Sequence, residues 1–222
     1  MVGRLGLAIL AGAVLTGAAI AANGDPKKHH NPADQAWAKA IRVQRSDLGP
    51  GDWRAERSAG SGSGGAPKGC ADPDLSDLVE TGSADRPDFR RNGSFVGSGS
   101  MVFESNRQLT IAWKRISRAM DLDCIIRDFK QSITRDGGRV RIISRGTVHI
   151  EKLAPFFKTG RFSFVLSTPP VTVRGRFSFY VAARGRASVV LMVASLGKPV
   201  ATPIPQSLEL KLAALVAGRL KR

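Results

Sequence analysis

The chain has little of the material from which most enzymes and metalloproteins build their sites. Its 222 residues include two cysteines, three histidines and one tyrosine, and aromatics make up 6%. There is no His-Glu-x-x-His pair, no four-member Cys/His set, no Gly-x-x-x-x-Gly-Lys loop and no Gly-x-Gly-x-x-Gly following a strand. These absences exclude the common zinc, nucleotide and dinucleotide sites, and no cofactor is expected. The Gly-x-Ser-x-Gly elbow of serine hydrolases is also missing. Asp and Glu number 18 against 34 Lys and Arg. They are scarce toward the C-terminus, so paired-carboxylate glycoside chemistry lacks its groups. His149 is the only histidine beyond residue 30. Glu151 would share its strand face, but no nucleophile is placed to use the pair, and a lone histidine is ordinarily structural. A hydrolase working through His149 is the one catalytic alternative, and no catalytic residue is assigned.

Only one long apolar run is present, Leu5 to Ile20, behind a single charge at Arg4. Ala19-Ile20-Ala21 has the small-x-small form that signal peptidase cuts, so residues 1–21 read as a signal peptide. The run is short for a bilayer span, which needs about 20 apolar residues. An uncleaved anchor is the alternative, and the only membrane attachment expected. No cysteine follows the run, which argues against a lipoprotein. The expected location is secreted, in the extracellular or cell-envelope space. Cys70 and Cys124 fit that reading: an isolated pair in an oxidising compartment ordinarily forms one bridge. Closing a loop of that length is worth about 4 kcal/mol in the chain-entropy model. The alternative, a metal site, lacks two further ligands.

What the chain has in abundance is positive charge. The formal net charge is +16, which attracts polyanions but says nothing of fold. Residues 136–222 carry 15 Lys and Arg against 3 Asp and Glu, a local net of +12. The candidate partners are an acidic envelope polymer or an anionic membrane surface.

Along the chain, residues 22–31 read as a polar tail in which His29 and His30 are more readily solvated than metal-bound. Asn31 suits a helix N-cap and Pro32 a first turn, predicting a helix over 32–44 docked by Trp37. An extended step follows at Trp53, and the Gly/Ser stretch 58–65 reads as a linker. Residues 22–69 thus form a helix, a step and a linker, and the main domain occupies 70–222. Strands are expected over 75–84 and 95–104. Spacings of three and four predict two amphipathic helices, one through Leu109, Ala112, Trp113, Ile116 and Met120, the other through Leu122, Ile125, Ile126, Phe129 and Ile133. From Arg139 the period changes to two. Strands follow to Ser195, with a tight turn at Gly185, and a helix over 206–220 closes the chain. The fold class is α+β: a mostly antiparallel sheet packed by three to four helices, with a single disulfide.

The pentapeptide Gly-Arg-Phe-Ser-Phe occurs twice, at 160–164 and 175–179. On a strand the phenylalanines share one face and the arginine and serine the other. That is what a sheet with one buried side requires, so two strands solving one packing problem explain the repeat without a duplicated function. Arg161, Arg174, Arg176, Arg184 and Arg186 come from strands expected to be neighbours. They form either a solvated face or an anion-binding surface, where the guanidinium fork suits phosphate and carboxylate. Specific nucleic-acid binding is not expected, because the aromatics fall on the opposite face.

The order of elements resembles a known group. A helix ends in a Leu-x-x-Gly-x-Trp step (Leu48 to Trp53). A cysteine precedes Leu-Ser-x-Leu-Val-x-Thr-Gly-Ser-Ala (Leu75 to Ala84). Ser98 to Ser105 leads into a helix bearing Ala112-Trp113 and then into Cys124, and a Leu/Ala helix closes near Arg219-Leu220. The pattern is similar to secreted sensor-like proteins of actinobacteria related to the extracellular domain of PknH-type serine/threonine kinases. The resemblance implies an antiparallel sheet packed by helices, stapled by disulfides, with a cleft for an unidentified ligand. The export signal, the cysteine pair and the absence of a catalytic set lead to the expected function, a non-catalytic extracellular binding or sensor-like protein of unknown ligand. This chain departs from that group in having one cysteine pair rather than two and no kinase or transmembrane segment. No functional residue of the group carries over.

Overall fold

The computed structural model describes residues 24–56, 66–85, 87–135, 137–168, 171–197 and 204–222. The expected signal peptide, residues 1–21, and the Gly/Ser stretch 58–65 lie outside the described residues. Four α-helices and nine strands alternate in the order β1 (Lys27–Lys28), α1 (Pro32–Ile41), β2 (Arg54–Glu56), β3 (Val79–Ala84), β4 (Asp88–Arg91), β5 (Ser94–Phe103), α2 (Asn106–Ala119), α3 (Leu122–Arg135), β6 (Arg139–Gly146), β7 (Phe156–Thr168), β8 (Val171–Arg184), β9 (Ala187–Gly197) and α4 (Gln206–Gly218). The strands join one sheet, β1-β3-β5-β9-β8-β7-β6, with β4 and β2 continuing from the first part of β5. Every pairing is antiparallel except β1 with β3. The α+β architecture expected from the sequence is the one observed.

Local chemistry sets the helix starts. Asn31 caps α1 by accepting from the Asp34 amide at 2.9 Å, and Ser105 caps α2 by accepting from the Gln108 amide. These bonds satisfy amide groups that a helix start otherwise leaves unpaired. Helix α1 ends three residues earlier than the spacing predicts. Beyond it, the Val43 amide donates to Ser98 Oγ, which fixes the chain against β5 instead. Of the segment 22–31, the described residues 24–31 are not a free tail either. Lys27 and Lys28 pair with Val79 and Glu80, and His30 Nε2 lies 2.6 Å from the buried carboxylate of Glu80. Residues 75–78 are not strand, but Leu75 and Leu78 are buried. Val148 and Ile150 lie in an irregular segment that packs its apolar residues on the sheet.

Helices cover part of each side of the sheet, where the alternation in the two pentapeptides predicts one buried side. Phe162, Phe164, Leu166, Phe177, Phe179 and Val181 pack on one face against Met120, Ile126, Phe129 and Ile133. Helix α2 adds Leu109 and Ala112 against Phe103 and Ala183 on the same side. On the other face, Val96, Val102, Tyr180, Ala182, Val189, Leu191 and Val193 pack against Ile41 of α1 and Leu212, Ala213 and Val216 of α4. Cys70 and Cys124 are bonded, with Cα atoms 5.6 Å apart and a separation of 54 positions in sequence. The bridge ties the segment before β3 to helix α3. No helix among the described residues is long and apolar enough to cross a membrane.

Candidate anion-binding face

The repeated pentapeptides turn out to be partners. In the antiparallel register Gly160 faces Phe179, Arg161 faces Ser178, Phe162 faces Phe177, Ser163 faces Arg176 and Phe164 faces Gly175. Each copy therefore supplies the glycine that the other copy's second phenylalanine needs. A Cβ on Gly160 would stand 2.3 Å from the Phe179 ring, and one on Gly175 2.3 Å from the Phe164 ring. Phe162 and Phe177 meet at the centre with ring centroids 5.3 Å apart. The repeat is a self-complementary packing unit.

The same register sets Arg161 and Arg176 diagonally on the opposite face, where both meet one carboxylate. Glu209 of α4 is 1% exposed. Arg161 Nη2 donates to its Oε2 and Arg176 Nη2 to its Oε1, both at 2.6 Å. Arg161 Nε also donates to Ser178 Oγ, and Arg176 Nη2 to the Ile204 carbonyl. Tyr180 Oη donates to Glu209 at 3.2 Å. Burial, together with the adjacent carboxylate, pushes the Tyr180 phenol well above its usual value, so it stays a donor. A buried charge needs this degree of pairing. The group is a clamp holding α4 to the sheet.

Beyond the clamp the same face is open. Read across β6, β7 and β8, its rows are Arg139–Ser167–Thr172, Arg141–Val165–Arg174 and Ser144–Ser163–Arg176. Arg139, Arg141 and Arg174 are exposed, and none forms an ion pair or side-chain hydrogen bond with a described residue. Val165 is half-buried yet belongs to none of the three apolar clusters. Thr172 Oγ1 donates to Ser167 Oγ, which leaves the Ser167 proton free to be donated elsewhere.

Of the five arginines expected to act together, three are brought together: Arg161, Arg174 and Arg176. Arg184 lies eight residues along β8 from Arg176, roughly 27 Å away at the rise of a strand, and its Nε is buried without a hydrogen-bond partner among the described residues. Arg186 leaves the sheet. It grips Asp34 of α1 with both Nη atoms at 3.0 Å, beside Arg222, and lies over the Trp37 ring. Burial pushes the Asp34 carboxyl up, but hydrogen bonds from Arg186, Thr81 and Asn31 outweigh it and hold the group well below the ordinary carboxylate range. Sequence reasoning missed Arg139 and Arg141. Their signal was their alternation with Val140 and Ile142, which puts both on one face of the edge strand β6.

His149 and Glu151 are exposed in the irregular segment after β6, and neither has a hydrogen-bonded partner among the described residues. His29 is exposed, and no group of three metal-ligating residues occurs among the described residues. A cleft of about 460 Å³ opens beside the disulfide, lined by Asp72, Pro73, Asp74, Asp77, Arg115 and Arg118. Arg115 there pairs with the Asp77 carboxylate and donates to the Asp74 carbonyl at 2.7 Å.

No family model matches the chain, and no curated protein matches it. Among solved structures it has a weak likeness to the extracellular domain of PknH from Mycobacterium tuberculosis, with a TM-score of 0.44 at 9% identity, covering 87% of this chain and 100% of that one. A likeness at that level assigns neither ligand nor activity to this chain.

Proposed function

We propose that this chain is an exported, non-catalytic binding protein whose ligand is an anion held on the open face of β6, β7 and β8. The observation that carries the reading is the set of exposed arginines Arg139, Arg141 and Arg174, drawn from two strands that flank β7 and left without described partners. Guanidinium groups of an ordinary solvated surface sit among acidic residues. Here Glu209 is already shared by Arg161 and Arg176, and none of the three exposed arginines pairs with a described carboxylate. Export is supported by the apolar run from Leu5 to Ile20 and by the Cys70–Cys124 bridge, a bond of oxidising compartments. An acidic envelope polymer or an anionic membrane surface is the partner class, and a role in sensing such a ligand is compatible with it.

The test is thermal unfolding of the oxidised protein against acidic polymers, nucleic acid, anionic vesicles and small metabolites. A ligand at about 100 times its dissociation constant adds roughly 2.7 kcal/mol, a shift of several degrees for a chain of this size. The expected result is a shift with acidic polymers or vesicles that disappears in moderate salt, since such binding releases counterions. A shift that persists in high salt, or none with any anion, overturns the reading. A shift with small metabolites alone favours a second reading in which the cleft at Asp74, Asp77 and Arg115 is the binding site. Turnover by the protein that is lost in His149→Ala would remove the non-catalytic part of the proposal.

A further inference from the structure

Resting on that anion-binding reading, we infer that the group the face takes is a tetrahedral phosphate, seated on Val165 between Arg141 and Arg174. The register builds a cross of donors around that valine. Arg141 and Arg174 lie one strand to either side, so their Cα atoms are about 9–10 Å apart. Ser163 and Ser167 lie two residues before and after Val165 on the same strand and face, each about 7 Å away. Both arginines are exposed and unpartnered among the described residues, so their forks can close from opposite sides over the short valine side chain. A carboxylate has two oxygens, and where two guanidiniums share it, as Arg161 and Arg176 share Glu209, each guanidinium takes one of them end-on. A phosphate presents oxygens in several directions and can accept from two opposed forks at once, with oxygens left over for hydroxyl donors. Ser163 and Ser167 supply those donors above and below, and the Ser167 proton is free because its oxygen already accepts from Thr172.

Val165 completes the site. A half-buried valine outside every apolar cluster is a floor on which no described apolar cluster packs. It is apolar enough to strengthen hydrogen bonds made over it and too small to obstruct them. The rows around it carry no aromatic side chain, so nothing would stack on a base. What is recognised is the phosphate itself, whether it belongs to a phosphodiester polymer or to a lipid headgroup.

The experiment titrates the full oxidised chain with inorganic phosphate, polyphosphate, polygalacturonate of matched charge, and phosphatidylglycerol vesicles against phosphatidylcholine ones. It is read by calorimetry and by backbone amide NMR. Polyphosphate is expected to bind at least tenfold more tightly than polygalacturonate and to move the amides of Arg141, Ser163, Val165, Ser167 and Arg174. Arg141→Gln/Arg174→Gln is expected to weaken it at least tenfold, while the charge-matched Arg107→Gln/Lys130→Gln on other surfaces leaves it within twofold. Val165→Asp, which places a carboxylate between the two forks, is expected to weaken it as much as the double variant, with an unchanged melting temperature confirming the fold. Tighter binding of phosphatidylglycerol vesicles than of polyphosphate assigns the phosphate to a lipid, and the reverse assigns it to a polymer; both uphold the inference. If polygalacturonate binds as tightly and is lost as fully in the double variant, the phosphate inference fails and the anion-binding reading stands. If no anion binds, or the control variant loses as much, both fail.

Discussion

Arg174 and Arg176 are two residues apart on one strand and face the same way, yet they live in different physical settings. Arg176 is fixed by Glu209 and the Ile204 carbonyl, while Arg174 is exposed and has no described partner. The same division separates Arg161 from Arg141 and Arg139. The difference lies outside the sheet. Helix α4 crosses β8 and β9 and brings one buried carboxylate, which two guanidiniums share; the rows beyond it receive none. A basic sheet face is therefore divided, a clamp where a helix covers it and, where the helix stops, a row of exposed guanidiniums that we propose takes the ligand.

The largest expected effect comes from removing the feature that divides the two groups. Glu209→Gln leaves two half-buried guanidiniums without a countercharge and is expected to lower stability by about 3–5 kcal/mol, measured by urea unfolding. Replacing the whole cluster, as Arg161→Met/Glu209→Leu/Arg176→Met, is expected to recover most of that loss, because apolar packing substitutes well for a buried charge group. Arg186→Gln probes an arginine committed to a different carboxylate and is expected to cost about 2 kcal/mol, the range for hydrogen bonds to a charged group. Its signature is in pH. The Asp34 carboxyl lies lower in the folded state than its unfolded value of about 3.9. Its stabilisation is thus present above about pH 4 and lost as pH falls through the folded value. Urea unfolding of the wild type should steepen in its pH dependence below about pH 4, and Arg186→Gln should flatten it.

A smaller effect is expected on the face behind the arginines. Gly175→Ala drives a Cβ into the Phe164 ring and is expected to cost about 1–3 kcal/mol, with Gly160→Ala matching it through Phe179. A wide disparity between the two would break the equivalence of the copies. Smallest of all, Arg141→Gln/Arg174→Gln is expected to change stability by no more than about 0.5 kcal/mol, as surface substitutions do, while weakening anion binding. A stability loss comparable to that of Glu209→Gln would show that these arginines too are structural.

Much of the fold is legible in residue spacing. Helices α2 and α3, strands β7 to β9 and the single bridge follow from periodicity and cysteine count, since each is specified by its own sequence. Strand β1 is not, because two lysines become a strand only through pairing with β3. The coverage of both faces was hidden for a similar reason: an arginine and serine alternation reads the same whether the polar face meets water or a helix. One residue carried the missing information. Glu209 stands in line with Leu212, Ala213, Val216 and Ala217, the buried positions of α4. A carboxylate in an apolar stripe requires a cationic partner on the surface it packs against, and that places α4 over Arg161 and Arg176. The open rows were half legible: Arg174 was identified and Arg141 was not, because their meeting over Val165 depends on a register that includes a bulge in β6.

The pairing of the two pentapeptides also bears on how the chain avoids aggregating. A five-residue segment that pairs antiparallel with its own sequence can pair with a copy in another molecule, and each copy carries two phenylalanines and a single charge. What protects the chain is speed and position. Thr168 pairs with Val171, so the two copies belong to a hairpin with a two-residue connection, and such hairpins close in roughly 1–10 μs, far faster than molecules meet at ordinary concentrations. Once closed, the hairpin is flanked by β6 and β9, and neither copy is left at a sheet edge where another chain could add to it.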